Sequence, residues 1–462
     1  MSASSPRSRP AAWKVLVALL SVSLSLLLWL GGLIESLQRP SVGGDLALLQ
    51  LELALLAEPA LPPPLKAVLL GSDPRAALLK EMTSQEQGAD QAISPAQRLQ
   101  RALLFELAHQ PAEAHADLQS LRERPPGSLP EEEQQLLELL LAADSRGIQA
   151  VAPRLPTPTL RLLACERGGG SPRDCQEPAV ARQAATQLVL VNGLPGLALL
   201  LGLILLIREL WLLGRGRLLP SPPLVGPDLT LVDLALLVAG GFVVIGNLTP
   251  LVVTPLLQSL LASVTWPDTL RQGLSYPVLY LSMTVAPLLI LALMLRGLGS
   301  PPAGGWLQFR WMPPLGALRL GLTGLLIVLP LVSFTGWLVE RILPSPSGSN
   351  PMLELVLHSQ DRLALACFAL TALVLAPLFE EVIFRGVLLP VLARDFGIGP
   401  GLILSSAVFA LAHLSVSETP SLFVLGLGLA RLRQRSGRLS ASVFMHGLWN
   451  GFTFLNLVLL GG

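Results

Sequence analysis

The stretch APLFEEVIFRG, Ala376 to Gly386, decides how this chain is read. It sets two adjacent glutamates and an arginine into a run of leucine, valine and phenylalanine. The chain around it is as apolar as that run: of 462 residues, 52% are hydrophobic and only 14% charged, with a mean hydropathy of +0.61. That composition belongs to an integral membrane protein rather than a soluble globule. An ionisable side chain at the centre of a bilayer costs about 2.5–3.5 kcal/mol on insertion scales, so each of the three charges needs a reason. The formal net charge of +1 leaves no basic field that would point to nucleic acid. The wealth of Leu, Ala, Gly and Pro suggests a GC-rich genome, and with it a bacterial plasma membrane.

Working outward, membrane-grade runs stand at 15–34, 187–207, 229–253, 277–295, 316–338, 363–378, 402–414, 422–432 and 441–460. The last few are short against the ~20 residues a helix needs to span. The first run follows Arg7, Arg9 and Lys14. It is longer than a signal-peptide core of roughly 7–15 residues and lacks a small-residue cleavage site, which predicts an uncleaved anchor with a cytoplasmic N-terminus. If every run crosses once, Arg208, Arg215, Arg217, Arg296, Arg310, Arg385, Arg394 and the cluster from Arg431 to Arg438 fall inside. Arg271, Arg341 and Arg362 fall outside, as the positive-inside rule asks.

Residues 35–182 differ in character: acidic residues concentrate there and long apolar runs are missing. ISPAQRLQRALLFELAHQPAEAHADLQSLRERPPG reads as two amphipathic helices joined near Gln110–Pro111. LPEEEQQLLELLLAADSRGIQAVAPRL reads as one more helix that ends at a proline break. The predicted organisation is an anchor at 1–34, a soluble extracytoplasmic α-helical domain at 35–182 and a multi-helix membrane domain at 183–462. The fold class is all-α, a polytopic membrane helix bundle with a soluble α-helical domain inserted after the first anchor helix. Cys165 and Cys175 bracket ERGGGSPRD in the part expected to lie in an oxidising compartment. A disulfide there would contribute about 2–3 kcal/mol on the chain-entropy account, and two free thiols are the alternative. Cys367 reads as a packing residue.

Three apolar runs each carry polar groups: Glu380, Glu381 and Arg385 on the first, Phe409 and His413 on the second, His446 and Asn450 on the third. Glu381 and Arg385 are four apart and share a helical face, so they can pair. Glu380 is about 100° round from Glu381 and points elsewhere. That divides the roles into a structural clamp and a free carboxylate. Phe409 and His413, and His446 and Asn450, repeat the four-residue spacing. Pro377 should kink its helix and open the wall. With boundaries placed near Arg394, Pro400 and Leu439, the four residues Glu380, His413, His446 and Asn450 come to related depths, as if lining one cavity open to the cytoplasm.

In these residues the sequence resembles the type II CAAX prenyl endopeptidase family, also called the CPBP or Abi family of intramembrane glutamic proteases. Its motifs run E-E-x-x-x-R, F-x-x-x-H and H-x-x-x-N. They stand here in that order as Glu380-Glu381-x-x-x-Arg385, Phe409-x-x-x-His413 and His446-x-x-x-Asn450, within a motif core of 363–460. The resemblance implies hydrolysis of peptide bonds within the membrane. Glu380 and His413 would activate a water and His446 and Asn450 would stabilise the oxyanion. Glu381, Arg385 and Phe409 would support them, with no cofactor and no metal ligand among them. The partners implied are the lipid bilayer and a membrane protein or peptide substrate, with no nucleic acid. A protein partner through residues 35–182 is a further expectation, since that domain has no counterpart in the family pattern. Two alternatives stay open: a zinc metalloprotease using the same side chains as ligands, although no H-E-x-x-H is present, and a non-catalytic bacteriocin-immunity or scaffold membrane protein. A proton-coupled transporter is disfavoured by the lack of an inverted repeat.

Overall fold

The computed structural model describes residues 10–38, 42–71, 73–87, 93–125, 127–217, 219–342 and 351–461. Arg7, Arg9 and nearly all of the Pro/Ser/Gly linker that starts at Leu343 lie outside the described residues. Those residues contain helices and no strand. The chain divides into two compact units, Met1–Arg39 with Ala198–Val458, and Pro40–Leu197 with Leu459–Gly462.

The first helix, α1 (Ala12–Gln38), belongs to the larger unit. The smaller unit is built from α2 (Val42–Ala57), α3 (Pro63–Leu69), α4 (Pro74–Gln87), α5 (Pro95–Leu107), α6 (Pro111–Arg122), α7 (Glu131–Leu141), α8 (Ser145–Val151) and α9 (Pro158–Arg167). Leu55, Leu78, Leu99, Leu103, Leu136 and Leu163 meet in its core. Ser94 and Gln97 form a reciprocal cap at the start of α5, with Pro95 in the first turn. The two amphipathic helices expected around Gln110 are α5 and α6. They are locked by a buried two-pronged ion pair in which Arg101 Nε and Nη2 donate to Asp117 at 2.7 and 2.6 Å. The helix expected from Glu131 onward is in fact two, α7 and α8. Ala143 adopts a left-handed backbone (φ 53°) and the Asp144 carboxylate caps the new start by accepting from the Arg146 and Gly147 amides. Cys165 and Cys175 are joined by a disulfide with Cα atoms 5.5 Å apart. Cys367 is free.

The rest of the chain supplies α10 (Pro178–Gly214), which links the units, then α11 (Leu231–Leu261), α12 (Asp268–Arg296), α13 (Pro314–Ile342), α14 (Pro351–His358), α15 (Arg362–Phe396), α16 (Ile398–Leu411), α17 (Thr419–Ser436) and α18 (Leu439–Gly461). Among the described residues seven helices are long and apolar enough to cross a membrane: α1, α10, α11, α12, α13, α15 and α18. The count of nine crossing runs is therefore corrected. The α16 helix has 14 residues, about 21 Å of rise against a ~30 Å hydrocarbon core, and α17 carries Arg431, Arg433 and Arg435 in its second half. The chain is a multi-pass integral membrane protein. Leucines and isoleucines of α1, α10 and α13 stay exposed, as surfaces facing lipid tails should, and Trp13, Trp211, Trp266 and Trp337 are exposed near helix ends. The α1 helix packs on the bundle: Ser25 donates to the Ala239 carbonyl at 2.9 Å and Lys14 lies 3.7 Å from Asp233.

Candidate active site

The site is set up by an irregularity in α15. Two wide turns, Thr371–Leu375 and Val382–Leu388, flank the segment Ala376–Glu381, which carries both glutamates. In the first wide turn the Ala376 amide reaches back to the Thr371 carbonyl. The next residue is Pro377, which has no amide hydrogen to offer. The Ala372 carbonyl is therefore left over by its own helix, and the Asn450 side chain takes it: Nδ2 donates at 2.8 Å. A wide turn and a proline thus create the acceptor that orients Asn450, four residues beyond His446 on α18. The approach needs a bare backbone at Gly447, where a Cβ would stand 2.6 Å from the Leu373 carbonyl oxygen.

Glu381 and Arg385 are fully buried, with side chains 0% exposed. Arg385 Nη1 donates to Glu381 Oε1 at 2.8 Å and Nη2 to the Gly426 carbonyl of α17 at 3.2 Å. Its guanidinium carbon lies 4.2 Å from the centre of the Phe409 ring, a cation–π contact in dry surroundings. Glu381 does more than hold Arg385. The same Oε1 is 3.0 Å from His446 Nδ1, so the carboxylate ties α15 to α18 and fixes the imidazole with its Nδ1 proton on Glu381. Phe409, wholly buried on α16, touches everything in this layer: its ring is 4.8 Å from that of His413 and 5.7 Å from that of His446.

Glu380 points away from this clamp into a cavity of about 400 Å³. Its Oε2 is buried and has no hydrogen-bond partner among the described residues, and it lies 3.9 Å from His446 Nε2. His413, His446 and Asn450 also line the cavity. The structure thus brings all four of the residues singled out by spacing into one space. His413 differs in its setting from the sequence expectation. The α16 helix stops at Leu411, and His413 stands in the turn beyond it, where Nδ1 is 2.8 Å from the Phe409 carbonyl. A carbonyl only accepts, so Nδ1 carries the proton and Nε2 is left as an acceptor.

The cavity extends from the four residues toward one end of the bundle. Its wall runs from Glu380 back to Thr371 on α15 and from His446 on to Leu457 on α18, with Met352 and Val356 of α14 beside them. These residues lie on the far side of the four from Arg394, Pro400 and Leu439, the end at which the sequence reading placed the mouth. Arg385, counted there among loop arginines on the inner side, is instead buried in the middle of α15.

Two contributors were not visible in the motifs. Tyr280 of α12 lines the cavity together with Glu380. Trp29 of α1 donates from Nε1 to the Leu411 carbonyl at 2.8 Å, a carbonyl at the end of α16 that also accepts from the Leu414 amide at 3.3 Å, just before His413. Neither residue sits in a patterned stretch. The signal available was that both tyrosines of the chain, Tyr276 and Tyr280, stand four apart in one apolar helix. Among the described residues no group of three or more His, Cys, Asp or Glu is gathered as a metal site.

By fold and site this is a multi-pass membrane protein whose helix bundle encloses a cavity bearing an unpaired carboxylate, two imidazoles and an amide. Residues 362–452 match the family model described as type II CAAX prenyl endopeptidase Rce1-like, a span that begins with α15 and takes in every residue from Glu380 to Asn450. The match supports, for this C-terminal segment, a membrane protease of the CAAX type. Residues 43–186 match a model described as a domain of unknown function (DUF8675). No curated protein and no solved structure matches the chain significantly.

Proposed function

We propose that this chain hydrolyses peptide bonds of membrane-inserted polypeptides with a water activated by Glu380 and His413. The observation that carries the reading is Glu380, whose side chain lines a cavity that also presents His413, His446 and Asn450 and whose Oε2 is buried without a hydrogen-bond partner among the described residues. Unsatisfied buried polar atoms are rare and cluster where chemistry is done. Glu380 and the free Nε2 of His413 are two acceptors for one water. As that water attacks the carbonyl carbon, its proton passes to Glu380 and the carbonyl electron pair moves to oxygen. Asn450 has a second amide hydrogen beyond the one given to Ala372. With Nδ1 committed to Glu381, His446 donates from Nε2 only as the imidazolium, a form with two carboxylates beside it. These are the donors for the oxyanion, and such donors supply several kcal/mol when held in place beforehand. Collapse breaks the C–N bond as Glu380 returns its proton to the leaving amine.

Tyr280 is read as the residue that holds the Glu380 carboxylate in position. Tyr280→Phe is expected to slow cleavage about tenfold, the kinetic worth of one hydrogen bond to a charged group. The melting temperature should be unchanged. A rate equal to wild type, measured side by side with purified proteins, would remove Tyr280 from the mechanism.

We further propose the division into an anchor at 1–34, an extracytoplasmic helical domain at 35–182 that meets a protein partner, and a membrane protease domain at 183–462. The disulfide supports this, because such bonds persist outside the cytoplasm. A reporter active only in the cytoplasm, inserted at Gly127, should be silent, and a signal from it would reverse the orientation.

The proposed activity is tested by comparing membrane proteomes of cells carrying the wild type or Glu380→Ala at equal abundance. Cleaved products should disappear and their uncut precursors accumulate in the variant. Identical proteomes would leave the reading without a substrate and count against it.

A further inference from the structure

We propose that the cavity is entered from the extracytoplasmic side, and that its substrates are membrane-anchored polypeptides whose cut segment is presented there. This rests on the reading of the cavity as the catalytic site. The first observation is where the wall lies. Tyr276 and Tyr280 stand in the first half of α12, Thr371 in the first half of α15, Ser421 at the start of α17, and Thr453 and Phe454 in the second half of α18. The cavity therefore occupies the end of the bundle where α12, α15 and α17 begin and α18 finishes.

The second observation is charge. At the opposite end stand Arg296, Arg319, Arg394, Arg431, Arg435 and Arg438, and Arg310 lies in the connection between α12 and α13. The cavity end keeps Arg271, Arg341 and Arg362 among Asp268, Glu354, Asp361 and Glu418. The excess of arginine marks the opposite end as cytoplasmic. A third, independent observation comes from the path of the chain. The disulfide Cys165–Cys175 immediately precedes α10, and near the other end of α10 Glu209 accepts from Arg435 at 2.6 Å. In sequence, α10 is one 37-residue helix, long enough to cross a membrane, with the disulfide before it and Arg208, Arg215 and Arg217 at or just beyond its C-terminal end; disulfides persist in oxidising compartments.

The wall is mainly apolar and aromatic, with Tyr276, Trp449 and Phe454 available to an extended apolar segment and Thr371, Glu418, Ser421 and Thr453 adding polar points beyond the catalytic cluster. A chain end presented in the cytoplasm would meet the arginine-rich end of the bundle instead. The substrate class that fits is a membrane-inserted polypeptide drawn in from the outer leaflet or the extracytoplasmic space.

Sidedness can be read without turnover. In a Cys367→Ala background, Ser421→Cys and Thr453→Cys report the cavity and Arg296→Cys the opposite end. Intact cells are treated with a membrane-impermeant maleimide, then permeabilised, and labelling after denaturation confirms the amount of each protein. Ser421→Cys and Thr453→Cys should be labelled in intact cells and Arg296→Cys only after permeabilisation. The reverse pattern overturns the proposal, and so does a cavity cysteine that reacts from neither side until the protein is denatured. Because no cleavage is measured, a correct pattern beside a fully active Glu380→Gln would discard the catalytic reading and keep the sidedness.

Discussion

Glu380→Gln is expected to lower cleavage by about 10²–10⁴-fold, the usual worth of a positioned general base, while membrane insertion and thermal unfolding stay as in the wild type. The two halves of that result have separate causes. The amide has the shape of the carboxylate, but its oxygen cannot take the proton of the attacking water and its nitrogen donates where an acceptor is required. Stability is spared because Oε2 is unpaired, the nearest imidazole nitrogen is 3.9 Å from it, and the amide oxygen can still accept from the Tyr280 hydroxyl proposed to hold this group. His413→Ala should lose activity in the same way, since its Nε2 faces the same water and its one fixed bond is to the Phe409 carbonyl. The check is the rate of substrate cleavage by purified variants beside their melting curves in the same detergent.

Glu381→Gln should behave in the opposite manner, as a folding defect with lost activity following from it. The pair Glu381–Arg385 is fully buried at 2.8 Å, and removing one charge of such a pair costs about 3–5 kcal/mol because the other is left uncompensated. Arg385 keeps only the Gly426 carbonyl and the face of Phe409. The variant should reach the membrane in reduced amount and melt earlier. Adding Arg385→Met should return part of the stability, because an apolar pair is often no worse than a buried ion pair. Activity should not return with it, since His446 has lost the carboxylate that holds Nδ1. A double variant no more stable than Glu381→Gln alone, in a two-by-two melting comparison, would show that the charge of Arg385 is not the problem.

Much of this was legible in the sequence for a definite physical reason. Charges in an apolar run are costly, so Glu380, Glu381 and Arg385 stand out, and helical spacing alone pairs Glu381 with Arg385. What the spacing could not supply was contact between helices. That Glu381 holds His446 as well as Arg385, that Asn450 caps Ala372, and that Tyr280 and Trp29 reach the site from other helices all depend on packing across the bundle. The helix irregularity around Pro377 could be expected from the proline, but the orphaned carbonyl at Ala372 follows only from the wide turn beside it. Depth counted from helix ends at Arg394, Pro400 and Leu439 places the four residues but says nothing of the wall beyond them, from Thr371 on α15 to Leu457 on α18. The break between α7 and α8 was overlooked although Asp144, a good cap three residues ahead of Gly147, was there to be read.

The central claim is that a carboxylate, Glu380, activates the water. It is tested most directly by the single-turnover cleavage rate of an accumulated precursor, measured for wild type and Glu380→Gln of equal melting temperature, each with and without exhaustive chelation. The account predicts cleavage by the wild type under both conditions and none by the variant. Near-normal cleavage by Glu380→Gln would contradict the catalytic assignment, and loss of wild-type activity on chelation with recovery on adding zinc would show that the same side chains work as metal ligands.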